Sequence, residues 1–166
     1  MKSFKKDIRA LSKEDLMTFF TTHSCKAFRG KQVYEWLWKK GVHRFEDMTN
    51  ISKHNRELLE EFFIINHIQV HNMQRSSDGT IKNAVRLHDG LIVESVLIPS
   101  ANRTTACVSS QVGCSLDCKF CATSRLKRMR NLNSDEIYDQ VMAINKQSRL
   151  YYDQKLTNIV FMGMGE

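Results

Sequence analysis

The sequence predicts an α+β accessory region followed by the start of an α/β partial barrel that is truncated after its second strand. Three observations predict this fold class. Apolar residues recur at helical spacing up to about residue 65 and alternate with period two from about residue 67, and from residue 104 the order is strand, loop, helix, strand. We therefore predict a helical N-terminal accessory domain over 1–66, an antiparallel β-meander over 67–99, and the N-terminal part of the core over 100–166.

Three helices are predicted in the accessory domain. Ser12 is the expected N-cap of the first, and Asp15, three residues on, completes a loose capping box. The second helix is predicted from about Gly30 to Lys40, and the third begins at Ser52. The aromatic and aliphatic stripes along these helices predict a buried core rather than ligand positions.

Period-two segments and turn residues predict the strands that follow. Asp78-Gly79 and Asp89-Gly90 supply the positive φ that tight hairpins need. The predicted strands are 67–75, 80–87, 91–98, 104–110 and 156–162, and a helix begins at Ser134. The last two strands and this helix form one βαβ unit. Two parallel strands cannot bury both faces or close a barrel, so we expect the sequence to be a fragment of a longer protein.

The chain is basic, and its charge is unevenly distributed. It has 166 residues and a formal net charge of +7. Residues 1–50 hold eleven Lys or Arg against six Asp or Glu, and residues 119–166 hold eight against five. Both segments are candidate surfaces for a polyanion such as RNA, and a solvated basic surface is the alternative.

The cysteine content predicts metal binding or catalysis rather than disulfide staples. Five cysteines are present, and the N-terminus lacks the pattern of a secretory leader. The longest apolar stretch, 91–98, contains Glu94 and is too short to span a bilayer. We therefore expect a cytoplasmic protein in a reducing environment.

Three cysteines, Cys114, Cys118 and Cys121, stand at the spacing C-x3-C-x2-C. Three thiolates this close on a loop can converge on a soft metal site and leave one coordination position open. One hypothesis is a [4Fe–4S] cluster with a free iron, beside which Phe120 would shield one side. The alternative is a structural zinc site with Cys107 as fourth ligand.

Three further segments are candidates for chemistry. Glu94 lies in an apolar run, where a partly desolvated carboxylate would suit a general base, although alternation could instead put it on an exposed face. Cys107 lies on the strand that leads into the cysteine loop. It is either a functional residue or a small buried hydrophobic one. The turn Gly163-Met164-Gly165-Glu166 ends the last strand, where backbone can approach a ligand closely or simply turn.

These segments together closely resemble the RlmN/Cfr family of radical S-adenosylmethionine (SAM) RNA methyltransferases. The resemblance lies in residues 93–99, 107–114 and 163–166, and residues 28–33 followed by Trp36 resemble the accessory domain of the family. It implies a radical SAM core in which SAM chelates the free iron of the cluster. It also implies that Phe120, Gly163, Gly165 and Glu166 contribute to cofactor binding.

The mechanism that the resemblance implies uses two molecules of SAM. One methylates a cysteine near the family C-terminus, and the second yields the radical that takes hydrogen from that methyl group. The carbon then adds to an adenine, a residue matching Glu94 removes the ring proton, and one matching Cys107 releases the product by forming a disulfide. Since no cysteine follows Cys121, we expect these residues alone not to turn over.

The resemblance also implies substrates and partners. RlmN-type proteins form 2-methyladenosine in 23S rRNA and at position 37 of tRNA, which is the favoured activity. Cfr-type methylation at C8 of 23S rRNA, another radical SAM reaction, and a non-catalytic zinc-containing RNA-binding module are the alternatives. An electron donor such as flavodoxin, a monomeric state and no membrane attachment are expected.

A basic run surrounds the end of the cysteine loop and contains no acidic residue: Lys119, Arg125, Lys127, Arg128 and Arg130. It could hold RNA phosphates at the mouth of the site, and a solvated surface loop is the alternative.

Overall fold

The computed structural model describes residues 5–165. The chain divides into two compact units at Asn66, and each is treated by itself below. Within the described residues, no helix combines the length and apolarity that crossing a membrane would require.

The first unit is helical. A capping box begins α1: the Ser12 hydroxyl accepts from Asp15 N at 3.0 Å, and the Asp15 carboxylate accepts from Ser12 N at 2.9 Å. Two short strands that the sequence did not predict pair in parallel. The elements are β1 (Lys6–Asp7), α1 (Lys13–Thr22), α2 (Phe28–Trp38), α3 (Lys53–Phe62) and β2 (Phe63–Ile64), with 3-10 turns at Ile8–Ala10 and Phe45–Asp47.

Close packing of α1 against α2 depends on Gly30. A Cβ at this position would lie 2.4 Å from Met17 N, so only glycine lets the two helix backbones approach this closely. The buried core of the unit includes Ile8, Leu16, Phe20, Val33, Leu37, Met48 and Leu59.

In the second unit, five strands of the described residues form one sheet in the order β3-β4-β5-β6-β9. Neighbouring strands are antiparallel except β6 and β9, which are parallel. The strands are β3 (Gln69–Arg75), β4 (Ile81–Arg86), β5 (Ile92–Pro99), β6 (Thr104–Cys107) and β9 (Asn158–Val160). The helical region followed by a mixed sheet and a crossover helix agrees with the predicted combination of α+β and α/β parts.

The sequence placed a domain boundary at residue 99, between β5 and β6, but these strands pair through Pro99 and Thr104. The meander and the βαβ unit therefore share one sheet. The reason is that strand pairing is set by main-chain hydrogen bonds across the turn, which residue periodicity does not reveal.

One face of this sheet is covered by α4 (Ser134–Tyr152). Ile144 of this helix packs on Ile81, Leu97, Ala106 and Val108. The side-chain amides of Asn83 and Gln147 exchange two hydrogen bonds, at 2.8 and 2.7 Å, and so satisfy a polar pair between β4 and the helix.

A short ribbon follows β6, which ends at Cys107 rather than at the predicted residue 110. It consists of β7 (Gln111–Val112) and β8 (Arg130–Asn131), which pair antiparallel. The three-cysteine loop connects these two strands.

Candidate active site

Glu94 and Cys107 lie on the open face of the sheet, opposite α4. Their alternating neighbours, such as Ser95 and Ala106, are buried on the covered face. Cys107 pairs with Val96, so Glu94 is its diagonal neighbour on the adjacent strand. Diagonal neighbours on one face of a sheet are about 7–8 Å apart, within reach of a long side chain. The sheet register thus places the predicted base and the predicted thiol side by side.

The environment of Glu94 is partly solvated. Its side chain is 46% exposed, and its carboxylate lies 2.6 Å from Lys82 Nζ. Of the two environments that the sequence left open, the structure shows the exposed one, because period-two alternation points this residue away from the covered face. Lys82, which sequence reasoning missed, lines a cavity of about 150 Å³ together with Glu94, Asn72, Gln74 and Ala84.

Cys107 is buried, with 8% of its surface exposed. Burial raises the pKa of its thiol, and a hydrogen bond from the Met162 backbone offsets only part of this effect. The thiol is therefore neutral near pH 7 and has to lose its proton before it can act as a nucleophile.

The turn after β9 folds back onto the chain between β6 and β7. Gly163 N donates to Val108 O at 3.1 Å, and Met164 O accepts from Ser110 N at 2.9 Å. Gly165 has a φ of +108°, and a Cβ there would lie 2.6 Å from Gln111 Cγ. Both conformation and space therefore require glycine. Glu166, the fourth predicted residue of this turn, lies outside the described residues.

The cysteine loop presents Cys114, Cys118 and Cys121 as half-exposed thiols. Backbone hydrogen bonds from Thr123 and Ser124 lower the pKa of Cys121 and favour its thiolate, the ligand form. Next to it, the side chain of Phe120 is 95% exposed.

Within residues 5–165, no three His, Cys, Asp or Glu side chains form a site for a single metal ion. An iron–sulfur cluster differs in that each thiolate binds a different iron, so its cysteine sulfurs need not converge on one point. Three half-exposed thiols on one loop, with the Cys121 thiolate favoured, fit such a cluster in donor type.

Arg130 fixes the base of the cysteine loop. Its guanidinium contacts the Glu136 and Asp89 carboxylates, each with a closest distance of 2.7 Å. Burial alone would raise the pKa of Glu136, but hydrogen bonds from Arg130 and Asn133 N outweigh burial and lower it. The sequence left open whether the basic run holds RNA phosphates or is a solvated loop, and at Arg130 the guanidinium donors are instead occupied by this ion-pair network. The sequence shows no sign of the pair between Arg130 and Asp89, because the two residues are 41 positions apart.

The other residues of the predicted basic run keep exposed side chains. Lys119, Arg125, Lys127 and Arg128 are exposed or half-exposed around the cysteine loop. Arg128 donates to Asn131 at 2.8 Å within the ribbon. This leaves a positively charged rim beside the three thiols.

Comparison with known proteins adds to this geometry. The family described as "Ribosomal RNA large subunit methyltransferase N-terminal domain" matches residues 6–65. The "Probable dual-specificity RNA methyltransferase RlmN" of Flavobacterium johnsoniae is 74% identical over 162 residues, which cover 98% of this chain and 46% of that protein. The "Dual-specificity RNA methyltransferase RlmN" of Geotalea uraniireducens is 43% identical, with the same coverage of both chains.

Among solved structures, a radical SAM methyltransferase from Sphaerobacter thermophilus superposes with a TM-score of 0.82 at 33% identity. The superposition covers 97% of this chain and 47% of that one. The fold of this chain therefore resembles that of a radical SAM methyltransferase over the part that the superposition covers. Over the same part, the chain is similar in sequence to RlmN RNA methyltransferases. It spans about half the length of the curated relatives that it matches.

Proposed function

We propose that this chain supplies the cluster loop, part of the SAM site and two reacting residues of an RNA methyltransferase that forms 2-methyladenosine in 23S rRNA and at position 37 of tRNA. One observation carries the proposal: Glu94 and Cys107 share the open sheet face as diagonal neighbours. The Gly163–Gly165 turn folds back beside β6, which bears Cys107. The names of the relatives support RNA as the substrate.

Cofactor binding is assigned to two segments. Cys114, Cys118 and Cys121 would hold a [4Fe–4S] cluster, beside the exposed ring of Phe120. Gly163 and Gly165, together with Glu166, would hold SAM against the strand ends. When bound, these two groups supply the one-electron chemistry that activates a methyl group.

Glu94 and Cys107 act on the bound base. The Glu94 carboxylate accepts the proton lost from the adenine ring, and to do so it has to leave or share Lys82, 2.6 Å away. Cys107 attacks the sulfur of the methyl-carrying cysteine that the family resemblance implies. An S–S bond forms as the S–C bond to the modified base breaks, and the released carbon takes up a proton to become the methyl group. The buried Cys107 thiol has to lose its own proton first.

RNA is held by the exposed cations of the cysteine loop and by the basic first unit. An adenine in folded RNA has to leave its stack to reach the sheet face, and phosphate contacts hold the flanking nucleotides meanwhile. We further propose a cytoplasmic monomer that receives electrons from a flavodoxin-type donor.

Anaerobic reconstitution with iron and sulfide tests the cofactor assignment. We expect a brown, oxygen-sensitive protein with near-equal iron and sulfide, at about four irons per chain. Cys118→Ala should lose the cluster, whereas Cys25→Ala, a half-buried cysteine of the helical unit, should retain it. One colourless equivalent of zinc would instead support an RNA-binding module.

Methyl transfer tests the reaction itself. The relatives are about twice as long, so we assign complete turnover to a protein of their length and expect cluster binding without turnover from these residues alone. In that longer protein, Glu94→Gln and Cys107→Ala should abolish product while retaining iron. Mass spectrometry of digested RNA identifies 2-methyladenosine as the expected product, and 8-methyladenosine would support the Cfr-type alternative.

A further inference from the structure

The Ser109 hydroxyl connects two parts of the candidate site. Its side chain is completely buried. It donates to Glu94 O at 2.6 Å and accepts from Met164 N at 2.8 Å. One oxygen atom therefore joins the strand that carries the candidate base to the turn assigned to SAM.

The main chain of Ser109 is itself held in place. Gln140 of α4 is fully buried, and its side-chain oxygen accepts from Ser109 N at 2.9 Å while its amide donates to Ser109 O at 3.2 Å. A side chain thus takes the place of a neighbouring strand at the point where β6 has ended. These two hydrogen bonds fix the position of the main chain that carries the Ser109 hydroxyl relative to α4.

The turn lies so close to Ser109 that no room is left for a side chain at Gly163. A Cβ at Gly163 would lie 2.6 Å from Ser109 Oγ and 2.8 Å from Ser109 N. Gly163 N also donates to Val108 O at 3.1 Å. The turn therefore lies directly against the Ser109 backbone, and the Ser109 hydroxyl adds a link to β5 to the main-chain hydrogen bonds that join the turn to residues 108–111.

We propose that Ser109 is a positioning residue, which sets the SAM-binding turn at a fixed distance from the strand that bears Glu94. This inference rests on the proposed function, since that assigns SAM to the turn. The Ser109 hydroxyl acts through the backbone atoms of Met164 and Glu94 that it contacts.

Ser95 provides a matched control on the adjacent strand. It is buried to a similar degree, at 1% exposed, but its hydroxyl has no hydrogen-bond partner among the described residues. Ser109→Ala and Ser95→Ala remove the same atom from similar surroundings. Only the first leaves the Met164 N–H without an acceptor.

Two measurements test the proposal. Amide hydrogen exchange of the chain without cofactors should show Met164 protected in the native protein and exchanging at least tenfold faster in Ser109→Ala. Because this chain holds only part of the SAM site, the second measurement uses a protein of the relatives' length: after cluster reconstitution, calorimetric titration with SAM should give a Kd about tenfold higher for Ser109→Ala. Ser95→Ala should match the native protein in both measurements.

The outcomes separate the inference from the proposed function. Unchanged Met164 exchange in Ser109→Ala, or a SAM Kd equal to that of Ser95→Ala, overturns the inference. If Ser109→Ala fails to fold, hydrogen exchange in the native protein still tests the inference. An unprotected Met164 amide there would also overturn the inference. Faster exchange in a protein whose native form binds no SAM would support the coupling of turn and strand and overturn the proposed function.

Discussion

The carboxylate of Glu94 forms an ion pair with Lys82 on the neighbouring strand, at 2.6 Å. Alternation along β5 already allowed an exposed face for its carboxylate, and the structure places it there. Its partner Lys82 could not be predicted, because a cross-strand neighbour depends on the register of two strands. The cysteines of the loop, by contrast, carry their signal in spacing alone. Their roles as ligands remain predictions.

Gly165 gives a prediction at the same scale. Gly165→Ala would place a Cβ 2.6 Å from Gln111 Cγ, in backbone with a φ of +108°. We expect SAM binding to weaken at least tenfold, because a strained turn costs about 1–3 kcal/mol before the clash is added. Calorimetric titration of the reconstituted protein measures this.

Gly90→Ala is the control for backbone strain. Gly90 has a similar φ of +86°, but a Cβ there meets nothing within 4 Å. It should lower the free energy of unfolding by about 1–2 kcal/mol and leave SAM affinity unchanged. Equal SAM affinities in the two variants would contradict the assignment of the turn.

Among the elements, the ribbon of β7 and β8 depends on ion pairs more than on its two-residue strands. The Glu136 side chain is only 3% exposed, and Arg130 joins it to Asp89 in the turn between β4 and β5. Three elements therefore meet at one guanidinium, which hydrophobic packing of so short a ribbon could not replace.

Arg130→Met should destabilise the second unit and change its response to pH. Removing the cation leaves the buried Glu136 carboxylate with only Asn133 N, at 2.8 Å, and the ring of His88, at 3.3 Å, as partners among the described residues, at a cost of about 2–4 kcal/mol after allowing for partial exposure of the pair. The pKa values of Glu136 and Asp89 are both lowered in the native chain. Their contribution is therefore present above the carboxyl pKa of the unfolded chain, about 4, and is lost as pH falls further.

Urea unfolding between pH 3 and pH 7 measures this contribution. The native protein should lose stability below about pH 4, and Arg130→Met should show a weaker dependence on pH. Arg44→Met breaks the largely exposed pair with Asp47 and should change the pH profile much less than Arg130→Met does, because solvent screens this pair. Parallel profiles for native protein and Arg130→Met would refute the role given to the pair.

Local chemistry explains which elements the sequence predicted well. Gly79 and Gly90 adopt the positive φ that their Asp-Gly turns require, so the hairpins lie where expected. The capping box at Ser12 is likewise confirmed. Pairing of β5 with β6, the ribbon, and the contact of Ser109 with Gln140 were missed because each joins segments whose pairing leaves no local pattern.

For the whole molecule, each unit has its own core. The helical unit buries residues between Ile8 and Leu59, and the clusters of the second unit draw only on residues from Ile68 onward. The two units should therefore respond separately to mutation.

Leu16→Ala tests this independence. Leu16 is fully buried in the helical core, so its truncation should cost about 2–5 kcal/mol. We expect circular dichroism to show that the helical unit melts at a lower temperature. The iron content of the reconstituted protein should stay unchanged.

Leu150→Ala serves as its control, since this leucine is 70% exposed and its loss should change stability by less than about 0.5 kcal/mol. Iron loss in Leu16→Ala that parallels unfolding of the helices would show that the units are not independent.

The parallel pairing of β6 with β9 has a consequence for the order of folding. At the start of this pairing, the backbone N–H of Thr104 donates to the side chain of Thr157. The two residues are 53 positions apart in sequence. The hairpins of β3 to β6 close over short turns, so they can form early, whereas this junction must wait for α4 and the cysteine loop. We therefore expect the Glu94–Cys107 part of the candidate site to form before the turn at residues 163–165 docks, so that iron supplied during synthesis would meet the cysteines of the loop before the site is complete.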